Sequence, residues 1–249
     1  MLQRLFIFLL IFLILPDIYL YLRFIVHLTA KRWLRILYWL PAFLLSTGLL
    51  YLVYFSNNAF AERHIQAIGW FSIFFFLFTA PKLLLSLCTI IGVPFHKWLR
   101  WPRTPFICTG LTLAVISIVM IIYGSFIGRT QFDVKEVTYS SPKLPSAFDG
   151  YRIVQLSDIH IGSWQGNASA IQKLVKLVNE QQADLIVFTG DLVNHRAVEL
   201  NDFQDILSGL KAKDGVYSIL GNHDYGPYFR WKSKDEQDDN LNDLLQRQA

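Results

Sequence analysis

The first half of the chain is a series of long apolar runs separated by short basic loops, with little amphipathic alternation. The runs are roughly Leu5–Leu22, Ile36–Phe55, Ile68–Ile91 and Phe106–Ile127. Each is close to the ~20 residues that a helix needs to cross a bilayer. A hydrophobic soluble core is the alternative interpretation, but four such runs in succession disfavour it. Residues 1–128 are therefore predicted to form an α-helical membrane bundle of four spans whose partner is the lipid bilayer.

The second half has a different pattern, in which β-rich runs alternate with helical spacing. The strand-like runs are Arg152–Leu156, Leu185–Phe188 and Val216–Leu220. Apolar residues at i, i+3, i+4 and i+7 separate them, at Ile171, Leu174, Val175 and Val178 and again at Phe203, Ile206, Leu207 and Leu210. The order β-α-β-α-β predicts a largely parallel sheet with right-handed crossovers. Residues 151–249 are predicted to be this α/β domain.

The segments flanking the α/β domain also carry predictions. Residues 129–150 are expected to be a linker, with a first strand around Val134, Val137 and Tyr139. At the other end, the spacing of Leu241, Leu244 and Leu245 predicts a helix that lacks a partner to pack on. A cap for the first helix of the domain is expected from Asn167 or Ser169.

Polar motifs follow each of the three predicted strands. Asp158 and His160 come after the first, Asp191 after the second, and the Asn222-His223-Asp224 triplet after the third. Ligands of parallel sheets bind beyond the carboxyl ends of the strands, where all three motifs are expected to meet. Taken singly, each motif is more typical of a turn or a surface loop. Their combination at three strand ends predicts a metal site.

The ligand types indicate the chemistry of that site. Oxygen and nitrogen ligands without thiolate suit Mn, Fe, Zn, Co or Ni. Asp191 has two carboxylate oxygens and could bridge two cations, which about 3.5–4 Å apart can clamp a phosphate and generate hydroxide. His223 could then protonate the leaving oxygen or stabilise developing charge, oriented by Asp224. His195 is interpreted as an exposed loop histidine and left out of the site.

These motifs together resemble a known family. The runs VQLSDIH (154–160), FTGDLVN (188–194) and GVYSILGNHDYG (215–226) are similar to the amino-terminal half of a calcineurin-like metallophosphoesterase domain, in its membrane-anchored bacterial branch. The resemblance covers residues from about 131 to 225. It implies an α/β/β/α sandwich, here incomplete, and hydrolysis of phosphate esters by two divalent metal ions.

The resemblance also implies roles for individual residues. Asp158 and His160 would hold the first metal, Asp191 would bridge, Asn222 would hold the second, and His223 would be the catalytic histidine. The family draws further histidine ligands from later segments, including a Gly-His-x-His motif that does not follow Asp224 in this sequence. The chain is therefore expected to be a fragment of a longer enzyme.

Charge predicts the topology of the membrane bundle. Basic residues concentrate in the first loop (Arg23, Lys31, Arg32 and Arg35) and the third (Lys97, Arg100 and Arg103), whereas in the second loop Arg63 is balanced by Glu62. The positive-inside rule places the first and third loops in the cytoplasm. The expectation is a multi-pass inner-membrane protein whose catalytic domain is extracytoplasmic.

The net charge of +4 does not indicate a nucleic-acid partner. Residues 1–128 contain 10 Lys and Arg against 2 Asp and Glu, a net charge of +8, and residues 129–249 contain 13 against 17, a net charge of −4. The basic surplus thus belongs to the membrane loops. No nucleic acid is expected as a partner.

Two ionisable residues lie within predicted spans, Asp17 and Lys82. Charges in a bilayer are costly, so pairing between the two spans is one expectation. The alternative is that each side chain extends separately to the membrane interface.

Two functions from different classes follow. The first is a membrane-anchored, metal-dependent phosphoesterase acting on a lipid-linked or cell-envelope phosphoester, with a pyrophosphate bond included. The second is a non-catalytic membrane interaction protein that carries an inactive phosphoesterase remnant.

Overall fold

The computed structural model describes residues 2–55 and 65–248. The chain divides into two compact units, Met1–Gln131 and Phe132–Ala249, and each is described by itself. The second loop, with Glu62 and Arg63, lies outside the described residues, so its part in the charge argument stays a prediction.

Four long helices make up the first unit. They are α1 (Leu2–Leu20), α2 (Arg32–Phe55), α3 (Ile65–Leu99) and α4 (Thr104–Phe126). A π-helical segment, Tyr21–Ile25, and an α-helical turn, Val26–Leu28, extend α1, and a 3₁₀ turn, Gly128–Thr130, follows α4. All four helices are long and apolar enough to cross a membrane, as the sequence predicts.

Small residues let the helices of this unit approach closely around a narrow core. Leu13, Leu45, Leu49 and Phe75 form that core. A Cβ on Gly110 would lie 2.9 Å from the Leu85 side chain, so α3 and α4 pack more closely there than larger residues would permit. In the most apolar window of each span, 11–28% of the residues are buried. The remaining apolar surface faces outwards, as lipid contact requires.

An ion pair joins α1 to α3, which confirms the predicted pairing. The Nζ atom of Lys82 lies 2.6 Å from Oδ1 of Asp17, whose side chain is fully buried. The hydroxyl of Tyr38 on α2 donates to the same oxygen at 3.0 Å. An unpaired carboxylate in hydrocarbon would be costly, so these two donors stabilise its charge.

The second unit contains a three-stranded parallel sheet with the order β1-β2-β3. The strands are β1 (Ile153–Leu156), β2 (Leu185–Phe188) and β3 (Val216–Ser218). The helices are α5 (Ala168–Glu180), α6 (Gln204–Leu207) and α7 (Lys234–Gln248), with 3₁₀ turns at Ser146–Phe148, Ile161–Trp164 and Ala197–Leu200. In register, Leu156 of β1 pairs with Phe188 of β2, and Ser218 of β3 pairs with the same residue.

Several predicted elements are shorter than expected or missing. The second helical pattern gives only the single turn α6, because the chain enters it from a turn at Phe203 and leaves it at Gly209. The predicted first strand is wrong: residues 131–140 form no strand, and Val137 is 90% exposed. None of the three described strands pairs with that segment. The predicted cap is also wrong, since the Asn167 side chain accepts the Ser169 hydroxyl and caps no backbone N–H.

The core of the second unit lies between the sheet, α5 and the loops that follow β1 and β2. It includes Ile161, Ile171, Val193, Phe203 and Leu244. Because Leu244 of α7 is completely buried in this cluster, the prediction that this helix lacks a partner is wrong. By contrast, Ile153 and Tyr217 remain exposed on the sheet. The described unit is therefore one sheet with part of its apolar surface uncovered.

Candidate metal centre

Backbone hydrogen bonds continue beyond the strand ends and hold the three polar loops side by side. The amide of Thr189 donates to the carbonyl of Leu156 at 2.8 Å, and the amide of Asp158 donates to the carbonyl of Gly190 at 3.0 Å. His160 donates in turn to the Asp191 carbonyl at 3.1 Å. The loops after β1 and β2 thus stay paired up to the residues that carry the candidate ligands.

Three of the candidate ligands have left-handed backbone conformations. The φ angles are 55° at Asp158, 47° at His160 and 58° at Asp191, and Gly190 has a φ of 99°. This region is disfavoured for residues with a Cβ, and such residues concentrate at functional sites. Asp158, His160 and Asp191 thus share an unusual backbone conformation at the candidate site.

The distances among these side chains fit a shared cation. Nε2 of His160 lies 3.8 Å from Oδ2 of Asp191 and 3.9 Å from Oδ1 of Asp158. One potential ligand atom each from His160, Asp191 and His223 lie within 4.8 Å of one another. Ligands about 2.0–2.2 Å from one metal stand roughly 3–4 Å apart, a separation too long for direct hydrogen bonds. The donor set therefore fits a divalent metal ion.

Asp158 and Asn222 lie at the open side of this group. The Asp158 side chain is 65% exposed, and its second oxygen accepts the hydroxyl of Ser157. Asn222 is exposed, and its Nδ2 donates to the hydroxyl of Tyr228 at 3.3 Å. That contact directs the amide nitrogen to Tyr228 and leaves the carbonyl oxygen of Asn222 available to a cation.

His223 is fixed from both its backbone and its ring. Its N–H donates to Oδ1 of Asp191 at 2.8 Å, and its Nδ1 lies 2.9 Å from the carbonyl oxygen of Asn194. Since a carbonyl only accepts, Nδ1 carries the proton and Nε2 keeps its lone pair. The ring centroid lies 4.6 Å from that of His160 and 4.6 Å from that of Tyr228. His223 thus presents a basic nitrogen beside His160.

The structure does not support the prediction that Asp224 orients His223. Asp224 is completely buried. Its Oδ2 accepts the backbone amides of Asp191 and Gly221, both at 2.8 Å, and its Oδ1 accepts that of Val193 at 3.1 Å. The carboxylate therefore joins the loops after β2 and β3, and the carbonyl of Asn194 takes the contact with the His223 ring.

Glycines allow these two loops to touch. A Cβ on Gly221 would collide with the side chain and backbone nitrogen of Asp191, and one on Gly190 would collide with the backbone of Gly221. Gly190 also has a positive φ, which a larger residue would adopt only with strain. Both glycines allow the Asp191 carboxylate to lie against the third loop.

Glu199 and Asn194 shape the site, although the sequence reasoning did not select them. Glu199 is buried and accepts the backbone amides of Asn194, His195 and Arg196 at 2.7, 2.9 and 3.0 Å. Asn194 also binds Ser163 through its side chain. The signal in the sequence was a glutamate three residues after the start of a helical turn, the spacing of a capping box.

His195 lies in a loop as predicted, but it is half-buried instead of exposed. Its ring stacks 6.1 Å from that of His223 and 6.5 Å from that of Tyr228. Burial, together with the charges of His223 and His160, holds the pKa of His195 below its ordinary 6.5. A neutral His195 thus forms part of the wall of the site.

The fold and the site define an α/β protein with a candidate metal centre, carried on a chain with four helices able to span a membrane. The chain belongs to the calcineurin-like phosphoesterases that have a transmembrane domain. The family profile described as "calcineurin-like phosphoesterase, transmembrane domain" matches residues 3–129, and the profile "calcineurin-like phosphoesterase" matches residues 151–247. It is accordingly a multi-pass membrane protein.

Curated relatives carry related names. A "transmembrane protein with metallophosphoesterase domain" of Danio rerio is 36% identical over 45% of this chain and 25% of its own length. The metallophosphoesterase YkuE of Bacillus subtilis is 34% identical over 43% and 37%, respectively. The UDP-2,3-diacylglucosamine pyrophosphatase LpxG of Chlamydia muridarum is 30% identical over 49% and 39%. The chain thus spans less than half the length of each of these relatives. No solved structure matches it.

Proposed function

We propose that this chain carries part of the dinuclear centre of a membrane-anchored phosphoesterase. The observation that supports this most directly is the convergence of His160, Asp191 and His223 beyond the ends of parallel strands. Asp158 and His160 hold the first divalent ion, Asp191 bridges, and Asn222 holds the second. The ions, drawn from Mn, Fe, Zn, Co or Ni, clamp the phosphate and supply hydroxide when bound.

The side chains of this site then take distinct roles. The two oxygens of Asp191 face different groups, with Oδ2 towards His160 and Oδ1 towards the amide of His223, which suits a bridging carboxylate. His223 holds a proton on Nδ1, so its Nε2 is the atom that exchanges a proton with the leaving oxygen. Asp224 supports the site by fixing the loops on which Asp191 and Asn222 lie.

The membrane bundle narrows the class of substrate. A site tethered to a bilayer favours a lipid-linked or cell-envelope phosphoester, and one relative bears the name of a pyrophosphatase of a diacylated sugar nucleotide. A pyrophosphate bond is therefore included in the proposal. In this proposal the ions bind the phosphate of the substrate, and the membrane anchor keeps the site near the membrane surface.

Hydrolysis of bis-p-nitrophenyl phosphate with Mn²⁺ tests this function, in a detergent-solubilised protein that carries this chain together with the later histidine motifs of the family. We expect metal-dependent turnover that Asp191→Asn reduces by at least 100-fold, because the bridging carboxylate is lost. Asp202→Asn, an exposed residue in the following segment, makes the same charge change and should leave turnover within twofold. A folded chain that shows no metal-dependent turnover would instead support the non-catalytic membrane interaction protein.

The role of His223 is separable from metal binding. A catalytic acid predicts that His223→Ala lowers kcat by 100-fold or more, whereas the Mn²⁺ affinity measured by calorimetry stays within threefold. A matching loss of Mn²⁺ affinity would assign Nε2 of His223 as a ligand.

We infer from the charge bias that the α/β unit is extracytoplasmic, at the inner membrane. In intact cells, an impermeant thiol reagent should label Lys176→Cys, whose side chain is 78% exposed in the wild type. Lys31→Cys in the first loop should be labelled only after lysis, and the parent chain reports any background from Cys88 and Cys108. The reverse pattern would invert the topology.

A further inference from the structure

Two arginines of the membrane unit line one cleft at the ends of three helices. Arg23 lies in the π-helical segment that extends α1, and Arg103 is the residue that precedes α4. Thr89, Gly92 and Val93 of α3 form another wall, and Phe24, Phe106 and Ile107 complete the lining. The enclosed part of the cleft is no larger than one water molecule, and the rest of its space is open to solvent. It therefore combines two cationic groups with an otherwise largely apolar lining.

Neither guanidinium has an anionic partner among the described residues of this unit. Asp17, the acidic residue within the described part of residues 2–131, is engaged by Lys82. Arg23 lies 5.9 Å from the ring of Phe24, which is a neutral group. Arg35 offers a contrast, because its guanidinium donates to the carbonyls of Val26 and Thr29 at 2.7 and 2.8 Å. Within the described part of this unit, the two cationic groups that line the cleft are thus free to bind an added anion.

The backbone around the cleft is specialised. π-Helical segments are rare and frequently occur at functional sites, and the described π-helical segment of this chain contains Arg23. On the opposite wall, a Cβ on Gly92 would lie 2.7 Å from the ring of Phe106, so α3 and α4 are in close contact at the cleft. Close helix packing beside a turn of altered pitch gives the cleft a defined shape.

We propose that the two arginines of this cleft bind, on its side open to solvent, the phosphate headgroup of an anionic phospholipid from the leaflet that faces the first and third loops. Guanidinium groups match phosphate oxygens in geometry and charge, and basic clefts between spans are suited to anionic headgroups. The aromatic and aliphatic walls favour a lipid over free phosphate, because acyl chains can lie along Phe24, Val93 and Ile107. The site is separate from the candidate metal centre and does not depend on phosphoesterase activity.

Native mass spectrometry of the full chain in detergent tests the proposal with phosphatidylglycerol as the probe. One molecule should bind with an affinity that falls at least tenfold in the double variant Arg23→Gln, Arg103→Gln. The matched control is Arg32→Gln with Arg100→Gln, which removes two exposed arginines from the same two loops but outside the cleft. The control should remain within twofold of the parent chain.

Further measurements test whether a loss of binding reflects misfolding, and whether the bound phosphate belongs to a lipid. Arg103 is exposed, so Arg103→Gln alone should keep the fold and still weaken binding at least threefold. Phosphatidylcholine should bind at least tenfold more weakly than phosphatidylglycerol. The proposal would be overturned if both lipids bound equally or if both double variants lost the same affinity. It would also be overturned by no loss of binding in Arg103→Gln, or by equal occupancy of the site by inorganic phosphate alone.

Discussion

Two buried carboxylates in the second unit bind backbone amides instead of cations. Asp224 accepts three amides from the loops after β2 and β3, and Glu199 accepts three from residues 194–196. A carboxylate that accepts several N–H groups keeps its charge without a cation, and each charge-assisted bond is stronger than a neutral one. At the scale of single residues, the geometry of the candidate metal centre thus depends on two acids that accept backbone amides.

Replacing Asp224 with Asn should destabilise the second unit by about 2 kcal/mol or more. The amide keeps one acceptor oxygen and turns an NH₂ group towards buried N–H donors, which are left unsatisfied. Hydrogen exchange of β2 and β3 peptides in the full chain, followed in urea, measures this loss. Asp239→Asn on the exposed side of α7 makes the same charge change and should stay within about 0.5 kcal/mol. A stable Asp224→Asn variant would argue against the structural role.

His195 gives the site a pH dependence that can be measured in the metal-free chain. Its pKa is lowered from 6.5, first by burial and then by the nearby charges of His223 and His160. The folded state therefore favours neutral His195, and this contribution to stability is fully present above pH 6.5 and is lost as the pH falls through the lowered pKa.

Histidine-selective NMR titration of the metal-free chain should place the His195 pKa below 6.5. His223→Gln removes one of the neighbouring charges and should raise the pKa of His195 towards its ordinary value. A His195 pKa at or above 6.5 would contradict the packing of the three rings.

At the scale of elements, the sequence predicted those parts that depend on local pattern. The bounds of β2 match the apolar run Leu185–Phe188, and α5 follows the helical spacing of Ile171 to Val178. The predicted spans correspond to α1–α4 because a bilayer requires long, continuous apolar helices. The positions of Asp158, His160 and Asp191 at strand ends followed from the same alternation.

The errors concern features that depend on tertiary contacts. Val137 and Tyr139 have strand-forming side chains, but none of the strands that the structure describes pairs with them. Asp224 follows His223 directly, yet its burial against the Asp191 loop could not be deduced from that adjacency. The same is true of Leu244, since its contact with residues more than 40 positions earlier is absent from the periodicity of α7. Local pattern selects an element, and packing determines its partners.

The docking of α7 can be tested with neighbouring leucines. Leu244 is completely buried, so Leu244→Ala should leave a cavity and destabilise the second unit by about 2–4 kcal/mol. Leu245 is 45% exposed, and Leu245→Ala should cost less than about 1 kcal/mol. The two variants are compared by their free energies of unfolding in a urea titration. Hydrogen exchange of α5 and β2 peptides reports the unfolding of the second unit. Equal effects would show that α7 does not dock through Leu244.

At the scale of the whole molecule, the two units differ in charge and in the solvent they suit. Residues 1–128 carry +8 with outward apolar faces, whereas residues 129–249 carry −4 and contain all the candidate metal ligands. The net positive charge of the first unit thus suits anionic lipid headgroups, and the net negative charge of the second unit suits divalent cations. A single net charge of +4 conceals this division.

This division predicts that a metal ion stabilises one unit and not the other. A ligand that binds only the folded state at 100 times its Kd stabilises that state by about 2.7 kcal/mol, which slows globally exchanging amides by about 100-fold. With Mn²⁺ at that ratio, amides of β2 should show this slowing, and those of α3 should not change. EDTA should reverse the effect, and Asp191→Asn should abolish it, whereas Asp202→Asn should preserve it. Slowing of both units to the same extent would mean that Mn²⁺ acts through general charge neutralisation. A site built from Asp158, His160 and Asp191 can transmit its binding energy only to the unit that folds around it.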